Sequence, residues 1–109
     1  MKRLLLLAAF LLAAAAPASA SNVVEIHLNE VIHSVSAEYV IAGLDHAAET
    51  NADAVLIWID TPGGFGDSMR EIVDHITASR VPVIVYVAPT GAHAASAGFF
   101  ILLDRKSVV

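Results

Sequence analysis

The chain has 109 residues, 57% of them hydrophobic and none cysteine, with six Lys/Arg against eleven Asp/Glu. The first 20 residues hold two of the bases and no acid, so the other 89 carry four bases and eleven acids, a formal charge of −7. An acidic segment whose bases stand at Arg70, Arg80, Arg105 and Lys106 offers no cationic stripe for phosphates, which argues against nucleic-acid binding. The lack of cysteine excludes disulfide frameworks, thiolate metal sites and a thiol nucleophile, so any nucleophile carries oxygen.

Lys2 and Arg3 precede an uninterrupted apolar run from Leu4 to Ala16, followed by Pro17-Ala18-Ser19-Ala20. This is the order of a secretory leader: basic end, apolar stretch, small-residue cleavage site. At ~1.5 Å per residue the run reaches roughly 20 Å, short of the ~30 Å hydrocarbon core. Residues 1–20 are therefore expected to be a signal peptide cleaved after Ala20, with an uncleaved anchor as the alternative. The implied location is outside the inner membrane.

After the leader, Val23 to Leu28 is β-branched and partly alternating, which predicts a strand, and Val31-Ile32 offers a short second one. From Ser36 the spacing becomes helical. Val40, Gly43, Leu44, Ala47 and Ala48 share one face, and Asn51 suits the left-handed stop. Ala54 to Ile59 is six apolar residues closed by Asp60-Thr61-Pro62-Gly63-Gly64, the pattern of a parallel strand buried on both faces. Ser68 and Glu71 have capping-box spacing, and Met69, Ile72, Val73 and Ile76 form the helical stripe behind them. Pro82 opens another strand, Val83 to Val87, and a third apolar helical stretch is expected from Ala94 through Leu103. Alternating strands and helices imply an α/β fold with a parallel sheet and right-handed crossovers. Residues 104–109 break the apolar pattern and are expected to be an aberrant or truncated tail, so that 21–103 is the N-terminal part of a larger domain.

Ligands of open parallel sheets bind at the carboxyl ends of the strands, and two loops stand there. In Thr61 to Asp67, paired glycines before a helix leave backbone N–H groups free for an anion or oxyanion. The plainer reading is a turn that needs positive φ. In Ala88 to Gly98, Ser96 stands among residues too small to shield it, and its plainer reading is a helix cap. His93, three residues earlier, reads as a loop or surface residue. The other histidines, His27, His33, His46 and His75, have no metal-ligand spacing, and Asp67, Glu71 and Asp74 read as solvated helix acids. Trp58 and Tyr86 are expected in core strands. No cofactor and no metal site are expected.

Taken together, Asp60-Thr61-Pro62-Gly63-Gly64, the helix after it, Val81 to Val87 and Gly91-Ala92-His93-Ala94-Ala95-Ser96-Ala97-Gly98 resemble the protease domain of NfeD-type membrane-bound serine proteases. These stomatin-operon partner proteins are related to Clp protease subunits and signal peptide peptidase A. The resemblance implies a ClpP/crotonase-like fold of repeated ββα/βα units, here incomplete at the C-terminus. It implies a serine endopeptidase with Ser96 as nucleophile and an oxyanion hole made by the backbone N–H groups of Gly63 or Gly64 and of Ala97. It also implies a polypeptide substrate in an apolar segment of a membrane-associated protein such as a stomatin homologue, and a homo-oligomer, a dimer, in the complete form. The family's base is a lysine some tens of residues after the serine. The sole lysine after Ser96 is Lys106, ten positions on, which does not match that spacing. Two alternatives remain: a catalytically inactive fragment or interaction module of the same fold, and a crotonase acting on acyl-CoA. The second is disfavoured by a serine where crotonases carry a glycine-rich turn.

Overall fold

The computed structural model describes residues 2–7, 20–96, 98, 100 and 101. Residues 2–7 are helical. Met1 and residues 8–19 of the expected leader, Ala97, Phe99, Leu102 and Leu103 of the expected third helical stretch, and the tail 104–109 lie outside the described residues.

Three strands, β1 (Val23–Leu28), β2 (Ala54–Ile59) and β3 (Val83–Val87), form one parallel sheet in the order β1-β2-β3. Helix α1 (Ser34–Glu49) links the first pair and α2 (Gly66–Ala78) the second. Two same-handed crossovers between adjacent parallel strands place both helices on one face of the sheet. That face holds the core: Ile26 and Leu28 from β1, Val55, Ile57 and Ile59 from β2, and Val83 and Val85 from β3 pack with Ala37, Val40, Leu44 and Ala47 of α1 and Ile72 and Ile76 of α2. Ile101, fully buried in the same cluster, brings onto it the helical backbone described at Gly98, Phe100 and Ile101.

The strands are not buried on both faces, contrary to the reading of β2 as an unbroken apolar run. Side chains alternate across a strand, and with both helices on one side the alternate residues Ala54, Leu56 and Trp58 are only half-buried. On that second face the register aligns His27, Trp58 and Tyr86. His27 stacks on Trp58 at 5.5 Å and Tyr86 meets Trp58 edge-on at 5.3 Å, so Trp58 is sandwiched by its own sheet. Tyr86 lies in strand β3 as expected, with 46% of its surface exposed on this second face.

The helix ends follow local chemistry. Helix α1 begins after His33, whose ring Nδ1 accepts from the Val35 and Ser36 N–H groups while Ser36 Oγ accepts from His33 N–H, a reciprocal capping box. It ends with Asn51 at φ 50°. The Asn51 N–H donates to Ala48 O and the Ala52 N–H to Ala47 O, which satisfies two terminal carbonyls in the expected left-handed stop. Helix α2 differs from expectation. It starts at Gly66 after Phe65, and Ser68 lies buried in the first turn without capping. Its start is set from a distance: Phe65 N–H donates to Ile32 O and Ile32 N–H to Gly63 O. The Val31-Ile32 segment is correspondingly a single parallel bridge from Ile32 to Gly64, short of a strand. Gly64 has no room for a side chain, because a Cβ there would lie 2.0 Å from Ile32 O.

Candidate active site

The carboxyl ends of β2 and β3 carry the two loops, and the structure joins them directly. Thr61 and Ala94 form a parallel bridge, with Thr61 N–H donating to His93 O (2.6 Å) and Ala95 N–H donating to Thr61 O (3.1 Å). One residue earlier, Asp60 Oδ1 accepts from His93 N–H at 2.9 Å. The segment leading to Ser96 thus continues the sheet past β2. This corrects the expectation that a helix begins near Ala94: helical backbone is described only at Gly98, Phe100 and Ile101.

Ser96 is exposed and its backbone is left-handed, φ 51°. A capping serine is extended, so this backbone sets Ser96 apart from the helix-cap reading. Gly98 N–H donates to Ala95 O at 2.9 Å, closing a tight turn with Ser96 at its first central position. A β-carbon at positive φ costs on the order of 1–3 kcal/mol and persists where surrounding structure enforces it, commonly at a functional site. Thr61 and Asp60 hold the segment leading into this turn through their bonds to His93 and Ala95. Among the described residues the Ser96 hydroxyl has no hydrogen-bond partner, and no lysine stands near the loop.

On the other side of Thr61, the paired glycines differ. Gly63 is buried with φ 111°, and its N–H donates to Thr61 Oγ1 at 3.1 Å. Gly64 is exposed, and its N–H has no acceptor among the described residues. It stands just ahead of the α2 N-terminus, where the helix dipole and uncapped amides favour negative charge. The arrangement therefore offers an exposed hydroxyl on a constrained turn, an unengaged backbone donor on the neighbouring turn, and a shared support between them. Ala97, the other expected donor, lies outside the described residues.

The remaining candidates fall elsewhere. His93 is exposed and contributes its backbone, as a loop residue should. His27 is in the aromatic row, His33 caps α1, His46 lies in the last turn of α1 and His75 is on the exposed side of α2. No group of three metal-ligating side chains occurs among the described residues, nor a helix long and apolar enough to cross a membrane. A depression of about 340 Å³ lined by Ala48, Asn51, Ala52, Arg80 and Val81 lies at the opposite end of the sheet and holds no nucleophile. Thr61 and Asp60 were read in the sequence as part of the motif that closes β2, with no role of their own. Their signal was weak: two polar residues directly ending an apolar strand.

Residues 22–109 match the family described as NfeD1b, N-terminal domain. The chain is 41% identical over 109 residues to the membrane-bound protease PH1510 of Pyrococcus horikoshii, covering 99% of this chain and 25% of that protein. It is 33% identical over 93 residues to the membrane protein NfeD1b of Bacillus subtilis, covering 85% of this chain and 21% of that protein. The chain thus spans about a quarter of the length of these relatives. Among solved structures it superposes on a serine-to-alanine mutant of the 1510-N membrane-bound stomatin-specific protease with TM-score 0.77 and 38% identity, over 81% of this chain and 42% of that one. A lysine-to-alanine mutant of 1510-N in complex with a substrate peptide matches with TM-score 0.72 and 41% identity, over 80% and 40%. ClpP1 of Listeria monocytogenes matches with TM-score 0.69 and 26% identity, over 75% and 46%. The fold is ClpP-like, present here in part.

Proposed function

The chain belongs to the NfeD1b N-terminal domain family, and from that premise we propose that it is the nucleophile-bearing part of a membrane-associated serine endopeptidase. The observation that carries this reading is Ser96, exposed and left-handed on a turn docked through Thr61 beside the Gly63-Gly64 turn. Support comes from relatives whose names describe proteases: both 1510-N structures are named stomatin-specific, and one of the two is bound to a substrate peptide.

In this mechanism Ser96 Oγ attacks the scissile carbonyl carbon, and its proton passes to a base as the new C–O bond forms. The base is a lysine carried further along the protein, a reading supported by the lysine-to-alanine variant of 1510-N. Negative charge that builds on the carbonyl oxygen is held by backbone N–H groups. Gly64 suits this role because its N–H is unengaged, whereas Gly63 N–H is held by Thr61 Oγ1. Ala97 supplies the second donor, and each donor contributes about 3 kcal/mol to lowering the barrier. Collapse of the intermediate breaks the C–N bond, the base returns its proton to the departing amine, and water then releases the acyl group from Ser96.

The substrate is an apolar segment of a stomatin-like membrane protein. Residues 1–20 act as an export leader, and the complete protein works at the membrane as a dimer. The test is hydrolysis, by the full-length protein, of a peptide taken from such a segment. Ser96→Ala lowers the rate by at least about 1,000-fold on this account. Equal cleavage by wild type and Ser96→Ala overturns it, and absence of cleavage by both favours the inactive-module alternative.

A further inference from the structure

Thr61 is 1% exposed, and every polar atom it has is engaged. Its main chain holds the nucleophile loop, N–H to His93 O and C=O from Ala95 N–H. Its hydroxyl has a single hydrogen, which goes to Glu30 O at 2.6 Å in preference to Gly63 O at 3.3 Å, and its oxygen accepts from Gly63 N–H at 3.1 Å. Its methyl reaches the far side of the serine turn, where a Cβ on Gly98 would lie 2.4 Å from Thr61 Cγ2. Backbone, hydroxyl and methyl of one residue therefore touch the loop before Ser96, the glycine turn and the residue two after Ser96.

We propose that Thr61 is the positioning residue that sets the Ser96 turn against the Gly63-Gly64 turn. The claim rests on the serine endopeptidase reading above. By holding Gly63 N–H, the hydroxyl fixes the turn so that Gly64 N–H is the free donor. By meeting Gly98, the methyl leaves the serine turn no room for a side chain at that position. Valine at 61 keeps the β-branched shape, the methyl and both main-chain bonds, but leaves Gly63 N–H and Glu30 O without the hydroxyl. Serine keeps the hydroxyl and lacks the methyl.

The experiment uses the full-length protein and the same peptide, with kcat and KM measured separately and Ser96→Ala as the zero. Thr61→Val is expected to lower kcat about tenfold or more with KM within about twofold, because only the approach of nucleophile and donor changes. Thr61→Ser is expected to retain kcat within about threefold of wild type. A second arm is independent of how Thr61→Val folds. Gly98→Ala is expected to lower kcat about tenfold, and adding Thr61→Ser, which removes the methyl that the new Cβ meets, restores most of it. Wild-type kcat in Thr61→Val, or in Gly98→Ala, overturns the positioning role while leaving the endopeptidase reading intact. Failure of Gly98→Ala to be rescued by Thr61→Ser likewise overturns it. If wild type shows no hydrolysis that Ser96→Ala abolishes, the endopeptidase reading itself has failed, and the positioning role with it.

Discussion

Gly64→Ala probes the contact that fixes the start of α2. A Cβ at this position would lie 2.0, 2.6 and 2.7 Å from Ile32 O, N and C, all of them backbone atoms that no rotamer change can move aside. Relief to ordinary separation requires a shift of roughly an ångström or more, given normal contacts of ~3.5 Å. The displaced segment is held by two bonds, Ile32 N–H to Gly63 O at 2.8 Å and Phe65 N–H to Ile32 O at 2.9 Å. Losing both costs about 2 kcal/mol, and loosening the fully buried Ile32 adds about 1 kcal/mol. An overall loss near 3 kcal/mol is a large part of a typical domain's ~5–15 kcal/mol. Gly66→Ala is the control: it lies two residues on, in the helix, with nothing within 4 Å of its added Cβ, and is expected to be neutral or stabilising by up to ~1 kcal/mol. Urea unfolding followed by circular dichroism on both variants measures the difference. Gly64→Ala within about 0.5 kcal/mol of Gly66→Ala would refute the claim that the Ile32 bridge dictates the turn.

Two further substitutions separate local from distant control of the helices. Asn51 sits at φ 50° as the left-handed stop of α1, so Asn51→Ala is expected to cost about 1 kcal/mol and Asn51→Gly close to nothing, read by thermal unfolding. Ser68→Ala is expected to change stability by less than about 0.5 kcal/mol because Ser68 caps nothing, whereas a true capping serine loses about 1 kcal/mol.

Strands β2 and β3 and the Asn51 stop were legible because each depends on neighbours in sequence: an apolar run bounded by turn residues, or a side chain that tolerates positive φ. Ser68 was misread for the converse reason. Its spacing to Glu71 satisfies a local rule, but Ile32, more than thirty residues away, pins Gly63 and Phe65 and starts the helix earlier. The cap of α1 was missed because histidine is an uncommon capping residue, and its ring acts here through Nδ1. Half-burial of Trp58 follows from both crossovers lying on one side, a property of topology that a hydrophobic run does not encode. At the site, Ser96 and the paired glycines were visible as motifs. What binds them was not: Asp60 to His93 and Thr61 to Glu30 span 33 and 31 residues, and no local periodicity reports contacts of that range.

The central claim is that Ser96 is a nucleophile, and its most direct test is covalent capture. The full-length protein treated with a fluorophosphonate and digested for mass spectrometry should carry the adduct on the peptide containing Ser96, with no labelling in Ser96→Ala. Undiminished labelling of Ser96→Ala, or an unmodified Ser96 peptide from protein that cleaves its substrate, would contradict the account.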